Sequence, residues 1–146
     1  MLKVNFYEEI EDKLLKFAVI VSRYQDKWVF CKHKDRTTYE VPGGHREEGE
    51  DIRETAVREL VEETGAVSYE LHKVCVYSVD REEEADYEVK ESYGMLFYAE
   101  IKEFGKLPDM EMEYIDFFED IPKNLTYPLI QPALVERISK FRQNIK

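Results

Sequence analysis

Apolar positions recur along this chain with two different periods, and the changes of period mark its elements. Leu14–Val21 and Lys27–Cys31 are β-branched or aromatic runs separated by the polar segment SRYQD, which predicts a hairpin. Thr37–Val41 is a shorter strand, ended by Pro42, Gly43 and Gly44. Asp51–Thr64 then follows a helical period. Asp51 stands at a capping position with Glu54 three residues on, and Gly65 suits the C-terminal stop. Val67–Val79 and Val89–Ile101 read as long strands joined by a solvated acidic loop, Asp80–Glu88, and Tyr114–Phe118 as a further strand. Ala133–Phe141 closes the pattern as a helix opened by Pro132, with Leu134, Val135, Ile138 and Phe141 on one side. This irregular alternation predicts an α/β fold in one domain over residues 1–146, a mixed sheet covered by helices on both faces.

Charge narrows the function. The 146 residues carry 32 acidic and 21 basic side chains, a formal charge of −11, against a nucleic-acid duplex as partner. A protein so negative needs a metal ion to handle anionic phosphates. Cys31 and Cys75 lie in apolar runs without zinc-ligand or CxxC spacing and read as buried thiols. The first residues, MLKVNFYEEIEDKLLKF, lack a signal-peptide core, and no run approaches the ~18–20 apolar residues of a membrane span. The expectation is a cytoplasmic protein that does not engage a membrane.

The segment GGHREEGEDIRETAVRELVEETGA holds eight carboxylates. At about 100° per residue, Glu63 lies near 40° and Glu62 near −60° of Glu59, so three acids share about a third of the helix circumference. Ala56, Leu60, Val57 and Val61 fill an adjoining apolar arc fit to face a sheet. The acidic arc therefore borders the buried one. Two readings remain: a solvated helix face, or a site for a hard divalent cation, completed by a backbone carbonyl from the two glycines.

The spacing resembles the Nudix box, G-x5-E-x7-R-E-U-x-E-E-x-G-U, where U is a bulky aliphatic residue. Gly44, Glu50, Arg58-Glu59-Leu60, Glu62-Glu63 and Gly65 match in order, and Ala66 departs from the final aliphatic position. The resemblance implies an α/β/α sandwich and Mg²⁺- or Mn²⁺-dependent hydrolysis of a nucleoside diphosphate linked to another group. It implies that Glu59, Glu62, Glu63 and the Gly43 carbonyl ligate metal, and that Glu59 or its metal-held water accepts a proton. Arg58 would orient a box carboxylate, with Glu50 and Gly44 in the surrounding shell. A further acid from a late loop would be Glu111 or Glu113. His45 and Lys32 are candidate phosphate contacts, and Lys32 is equally readable as a solvated strand residue. Tyr114, Phe117, Asn124 and Tyr127 are available for base recognition.

Size and the segment TYEVPGG are most similar to the MutT-like branch, which implies a nucleoside triphosphate substrate, with oxidised purines such as 8-oxo-dGTP first. Dinucleoside polyphosphates, ADP-ribose, RNA 5′ ends, or a nucleotide sensor without turnover are the alternatives. Many such relatives pair, so a homodimer is an open expectation.

Overall fold

The computed structural model of the chain describes residues 2–81 and 90–145. Its elements are β1 (Leu2–Tyr7), a 3-10 turn (Asp12–Leu14), β2 (Leu15–Tyr24), β3 (Lys27–His33), β4 (Tyr39–Glu40), β5 (Gly43–His45), α1 (Ile52–Thr64), β6 (Ala66–Arg81), β7 (Lys90–Phe104), β8 (Met112–Phe118) and α2 (Gln131–Asn144). One sheet runs in the order β1-β6-β7-β2-β3-β4, with β5 paired to β2 and β8 to β3. β2 and β7 are parallel, Ala18 opposite Met95, whereas β6 and β7 form a long antiparallel pair. The sheet is therefore mixed, as its strand pattern predicts.

The β2–β3 hairpin turns on Gln25 and Asp26, both with positive φ (48° and 66°). Two left-handed residues give the turn a twist matching that of the flanking strands. Gly43–His45, where the glycines were expected to end strand structure, form β5 against β2, and β1 is a further strand the hydrophobic pattern did not announce. It is a six-residue edge strand whose Val4 and Phe6 pack on the α2 side. The acidic connection read as Asp80–Glu88 begins later than expected, because Asp80 and Arg81 still pair with β7. Its remainder, from 82 on, lies outside the described residues, as does Val89.

Alternation along the strands divides the core into two layers. Ala18, Ile20, Val29, Met95 and Phe97 face Ile52, Ala56 and Leu60 of α1. Val21, Phe30, Leu96 and Tyr98 face Leu134, Val135 and Ile138 of α2. Helices thus cover both faces, an α/β/α sandwich. Full burial of a side chain such as Leu60 contributes about 1.5–3 kcal/mol. Both cysteines are buried and free. Among the described residues, no helix is long and apolar enough to cross a membrane.

Helix α1 is rotated relative to the apolar arc expected for it. Its buried residues are Ile52, Thr55, Ala56, Leu60, Glu63 and Thr64, while Val61 is 36% exposed. The helix turns its acidic border inward because local polar bonds permit it. Thr64 Oγ1 donates to the Leu60 carbonyl at 2.6 Å and Thr55 Oγ1 to Glu50 at 2.7 Å. The Cys31 thiol donates to the Glu63 carbonyl at 3.3 Å. Buried threonines that find such partners carry little desolvation penalty. At the N-terminus, Glu54 accepts the Asp51 N–H at 3.2 Å, the reciprocal half of the expected capping box. Gly65 ends the helix at φ 76°, in the left-handed region.

Candidate metal and phosphate site

The loop between β5 and α1 is braced before any acid is placed. Arg46 donates through Nε to the Glu50 carbonyl (2.6 Å) and through Nη1 to the Asp12 carbonyl (3.0 Å). Its Nη2 pairs with Asp12 Oδ2 at 2.9 Å. Gly49 takes φ 79°, which reverses the chain and brings Glu50 back toward the helix.

Arg58 then gathers the acids. Its Nε and Nη2 hold the two oxygens of Glu50 at 2.7 and 3.1 Å, a bidentate fork. Nη1 donates to Glu59 at 2.7 Å and lies 3.6 Å from Glu62, and Nη2 also reaches the His45 carbonyl at 3.0 Å. Glu50 accepts further bonds from Thr55 and the Glu47 N–H, so its carboxyl is held at about 2, chiefly by Arg58. The two glycines make room. A Cβ on Gly44 would stand 2.3 Å from Glu59 Oε1, so the Glu59 carboxylate lies against bare backbone.

Glu63 is only 5% exposed. One Oε accepts the Gly43 N–H at 2.7 Å. Burial first, then the charges of Glu59 and Glu40, push its carboxyl up to about 9, against the pull of that N–H. Glu59 is also raised, by burial, with Arg58 opposing and Glu62 adding. Carboxylates this crowded are short of positive charge.

Glu59, Glu62, Glu63, Arg58, His45, Arg46, Glu47, Met110 and Glu111 line one cleft of about 370 Å³. Of the two late-loop acids, Glu111 is brought to this cleft. Glu113 instead pairs with Lys32 at 2.8 Å on β8 and β3, and neither of these lines it. Phe117 packs against Tyr24 and Phe104 in the α1-side core. Tyr114 meets Tyr39, and Asn124 donates to the Thr37 carbonyl. A wider groove of about 620 Å³ runs alongside, between the 3-10 turn and the Glu47–Glu54 segment. The crowded acids Glu59, Glu62 and Glu63 lie in the smaller cleft.

Glu40 was not singled out by sequence. It sits opposite Cys31 on β4, 8% exposed, paired with Arg36 at 2.7 Å and facing Glu63. The signal for it was its place two residues before Pro42, which is visible only once β4 is known to lie under the end of α1.

The donor set suits a hard divalent cation, being all oxygen and in excess of local positive charge. As placed, Arg58 holds Glu59, and the Gly43 N–H holds Glu63. Among the described residues no three His, Cys, Asp or Glu side chains converge on one ligand point. Ligation would exchange those hydrogen bonds for an ion.

The NUDIX domain family model matches residues 13–126, spanning the braced loop, the acid helix and the late-loop acid. The chain belongs to the Nudix family. It is 35% identical over 112 residues to a Bacillus subtilis (strain 168) protein named "Putative 8-oxo-dGTP diphosphatase YtkD", covering 76% of this chain and 66% of that one. A second B. subtilis relative, an ADP-ribose pyrophosphatase, is 44% identical over 48 residues, 33% of this chain and 26% of that protein. The chain thus spans two thirds or less of the length of these curated relatives. The crystal structure of the B. subtilis pyrophosphohydrolase BsRppH superposes with a TM-score of 0.76 at 25% identity, over 95% of this chain and 90% of that one. A UDP-X diphosphatase superposes with a TM-score of 0.69 at 18% identity, over 90% of this chain and 64% of its own, a likeness of fold. Nudix hydrolases generally use divalent metal ions.

Proposed function

We propose that this Nudix protein hydrolyses a nucleoside triphosphate to the monophosphate and pyrophosphate, with oxidised purine nucleotides as its preferred substrates. One observation carries the reading. Every box acid is present, and Glu59, Glu62 and Glu63 line a single cleft beside Glu111 and His45. The name of the 35%-identical relative supports the oxidised-purine preference.

In this reading Glu59, Glu62, Glu63 and the Gly43 carbonyl would hold Mg²⁺ or Mn²⁺, which would supply positive charge against the pyrophosphate and a more acidic attacking water. The remaining work belongs to the chain. Water oxygen forms a bond to phosphorus as the P–O bond to the pyrophosphate leaving group breaks, and Glu59 takes the water proton. Arg58 fixes Glu59 in place and is itself fixed by Glu50. Glu111 and His45 line the same cleft as the box acids, and in this reading Glu111 serves as the further acid and His45 as a phosphate contact.

The test is a product assay on 8-oxo-dGTP, normal nucleoside triphosphates, dinucleoside polyphosphates, ADP-ribose and RNA 5′ ends, with Mg²⁺ and then Mn²⁺. Triphosphates should dominate, and Glu62→Gln should lower the rate by about 10³-fold or more with the fold intact. Negligible triphosphate turnover beside another class refutes the substrate. Tight nucleotide binding with no turnover on the whole panel refutes the enzyme in favour of a sensor.

A further inference from the structure

Toward the β1 edge of the α1-side sheet face, the chain buries polar groups that the box chemistry does not use. Register puts Asn5 of β1 opposite Ser78 of β6, and Ser78 opposite Tyr93 of β7. One step along, Asp80 stands opposite Glu91. Side chains two apart share a face, so Asn5, Tyr7, Ser78, Asp80, Glu91 and Tyr93 lie together on the face carrying Val76 and Met95.

This cluster is unbalanced in a specific way. Two carboxylates face each other across an antiparallel pair, an arrangement that is destabilising when uncompensated. Glu91 is satisfied: Tyr7 donates at 3.1 Å, Tyr93 donates as well, and Asn5 Nδ2 lies at 3.4 Å. Asp80 is not. It is 9% exposed, and among the described residues its buried Oδ1 has no hydrogen-bond partner. Ser78 is 0% exposed and lies beside the Glu91 carboxylate, yet among the described residues its Oγ makes no hydrogen bond of good geometry. Lys3, opposite Asp80 on β1, is exposed to solvent. Buried oxygens left unmatched forfeit the hydrogen bonds water would give them, and the loss is larger for a charged group.

We propose that Asp80, Glu91, Ser78 and Asn5 form a structural site for a hard cation such as Ca²⁺, apart from the box cleft. The donors are two carboxylates, one hydroxyl and one amide oxygen presented by rotating the Asn5 amide, with water completing the shell. Ca²⁺ accepts six to eight oxygens in loose geometry, which such a mixed set fits better than the strict octahedron of Mg²⁺. The ion would staple edge strand β1 to the β6–β7 pair, joining three strands through one charge.

Tb³⁺ is the probe, since it takes Ca²⁺-type oxygen sites and its luminescence is sensitised by nearby tyrosines, here Tyr7 and Tyr93. The whole protein is titrated with Tb³⁺, and the emission is then competed with Ca²⁺. Saturable, Ca²⁺-displaceable emission is expected, kept in Glu62→Gln and weakened in apparent affinity by about tenfold or more in Asp80→Asn. Ser78→Ala should weaken it by about threefold, and it decides the matter by itself if Asp80→Asn fails a circular-dichroism check of folding. No displaceable emission, or variants within about twofold of the parent in Tb³⁺ affinity, overturns the proposal and assigns the orphan oxygens to water.

Discussion

Alanine at Gly44 would place a methyl carbon 2.3 Å from Glu59 Oε1 and 2.5 Å from Glu59 Cδ, where ordinary contact begins at 3.4 Å. The carboxylate must therefore retreat by about 1 Å, the difference between 3.4 and 2.3 Å. That motion pulls Glu59 off Arg58 Nη1, now at 2.7 Å, and moves the group proposed to take the water proton. A displacement of about 1 Å in a positioned catalytic group lowers the rate by about 10²-fold. The fold should hardly notice, since what yields is the far end of a flexible side chain. Gly43→Ala is the matched control. Its Cβ meets the Ala18 carbonyl at 2.8 Å and Val19 Cγ2 at 3.0 Å, inside the β5–β2 pairing, where backbone would have to move. Overpacking of that kind is destabilising by about 1–3 kcal/mol, or roughly 2–12 °C in melting temperature for a chain of this size. Pyrophosphate release with Mg²⁺, beside thermal melts, separates the two variants. The reasoning fails if Gly44→Ala retains the parent rate within about threefold, or if it melts as low as Gly43→Ala.

Three further outcomes follow from the site. Glu111→Gln should lower turnover by about tenfold or more, whereas Glu113→Gln should stay within about twofold, because it only releases a partly exposed pair with Lys32; equal effects in a steady-state assay would contradict this placement. The Glu63 carboxyl is raised from 4.5 to about 9, so its protonated form favours the folded state without metal. That contribution is complete below pH 4.5 and is lost as pH rises toward 9. Added Mg²⁺ should therefore raise the melting temperature more at pH 8.5 than at pH 6, and a gain independent of pH would count against it. Glu50, lowered from 4.5 to about 2, behaves oppositely. Its stabilisation is present above pH 4.5 and is lost as pH falls toward 2, so Glu50→Gln should flatten the acid limb of a stability–pH profile and weaken the hold on Arg58.

Much of this molecule was legible before any coordinate. The hairpin, the long β6 and β7 strands and both helices announced themselves through period and punctuation, because those signals are local. The capping pair Asp51 and Glu54 and the stop at Gly65 act within one helical turn. Box spacing did the rest, since i, i+3 and i+4 on a helix put Glu59, Glu62 and Glu63 on one arc wherever the helix goes. β1 was missed because an edge strand is half-solvated, and its charged surroundings dilute the alternation of Val4 and Phe6.

Other decisions belonged to the tertiary structure. The sequence determined that α1 carries an acidic arc beside an apolar one, but not how far the helix rolls against the sheet. Packing on Ala18, Ile20 and Met95, with Cys31 bound to the Glu63 carbonyl, rolls Glu63 inward and leaves Val61 outside. The choice of Glu111 over Glu113 for the cleft was likewise hidden. The two residues are identical in type and two positions apart, so only the pairing of β8 with β3 assigns one to the cleft and the other to Lys32. A local rule fixes the direction of a side chain relative to its own backbone. Which neighbour it meets depends on strand pairings between residues distant in the chain.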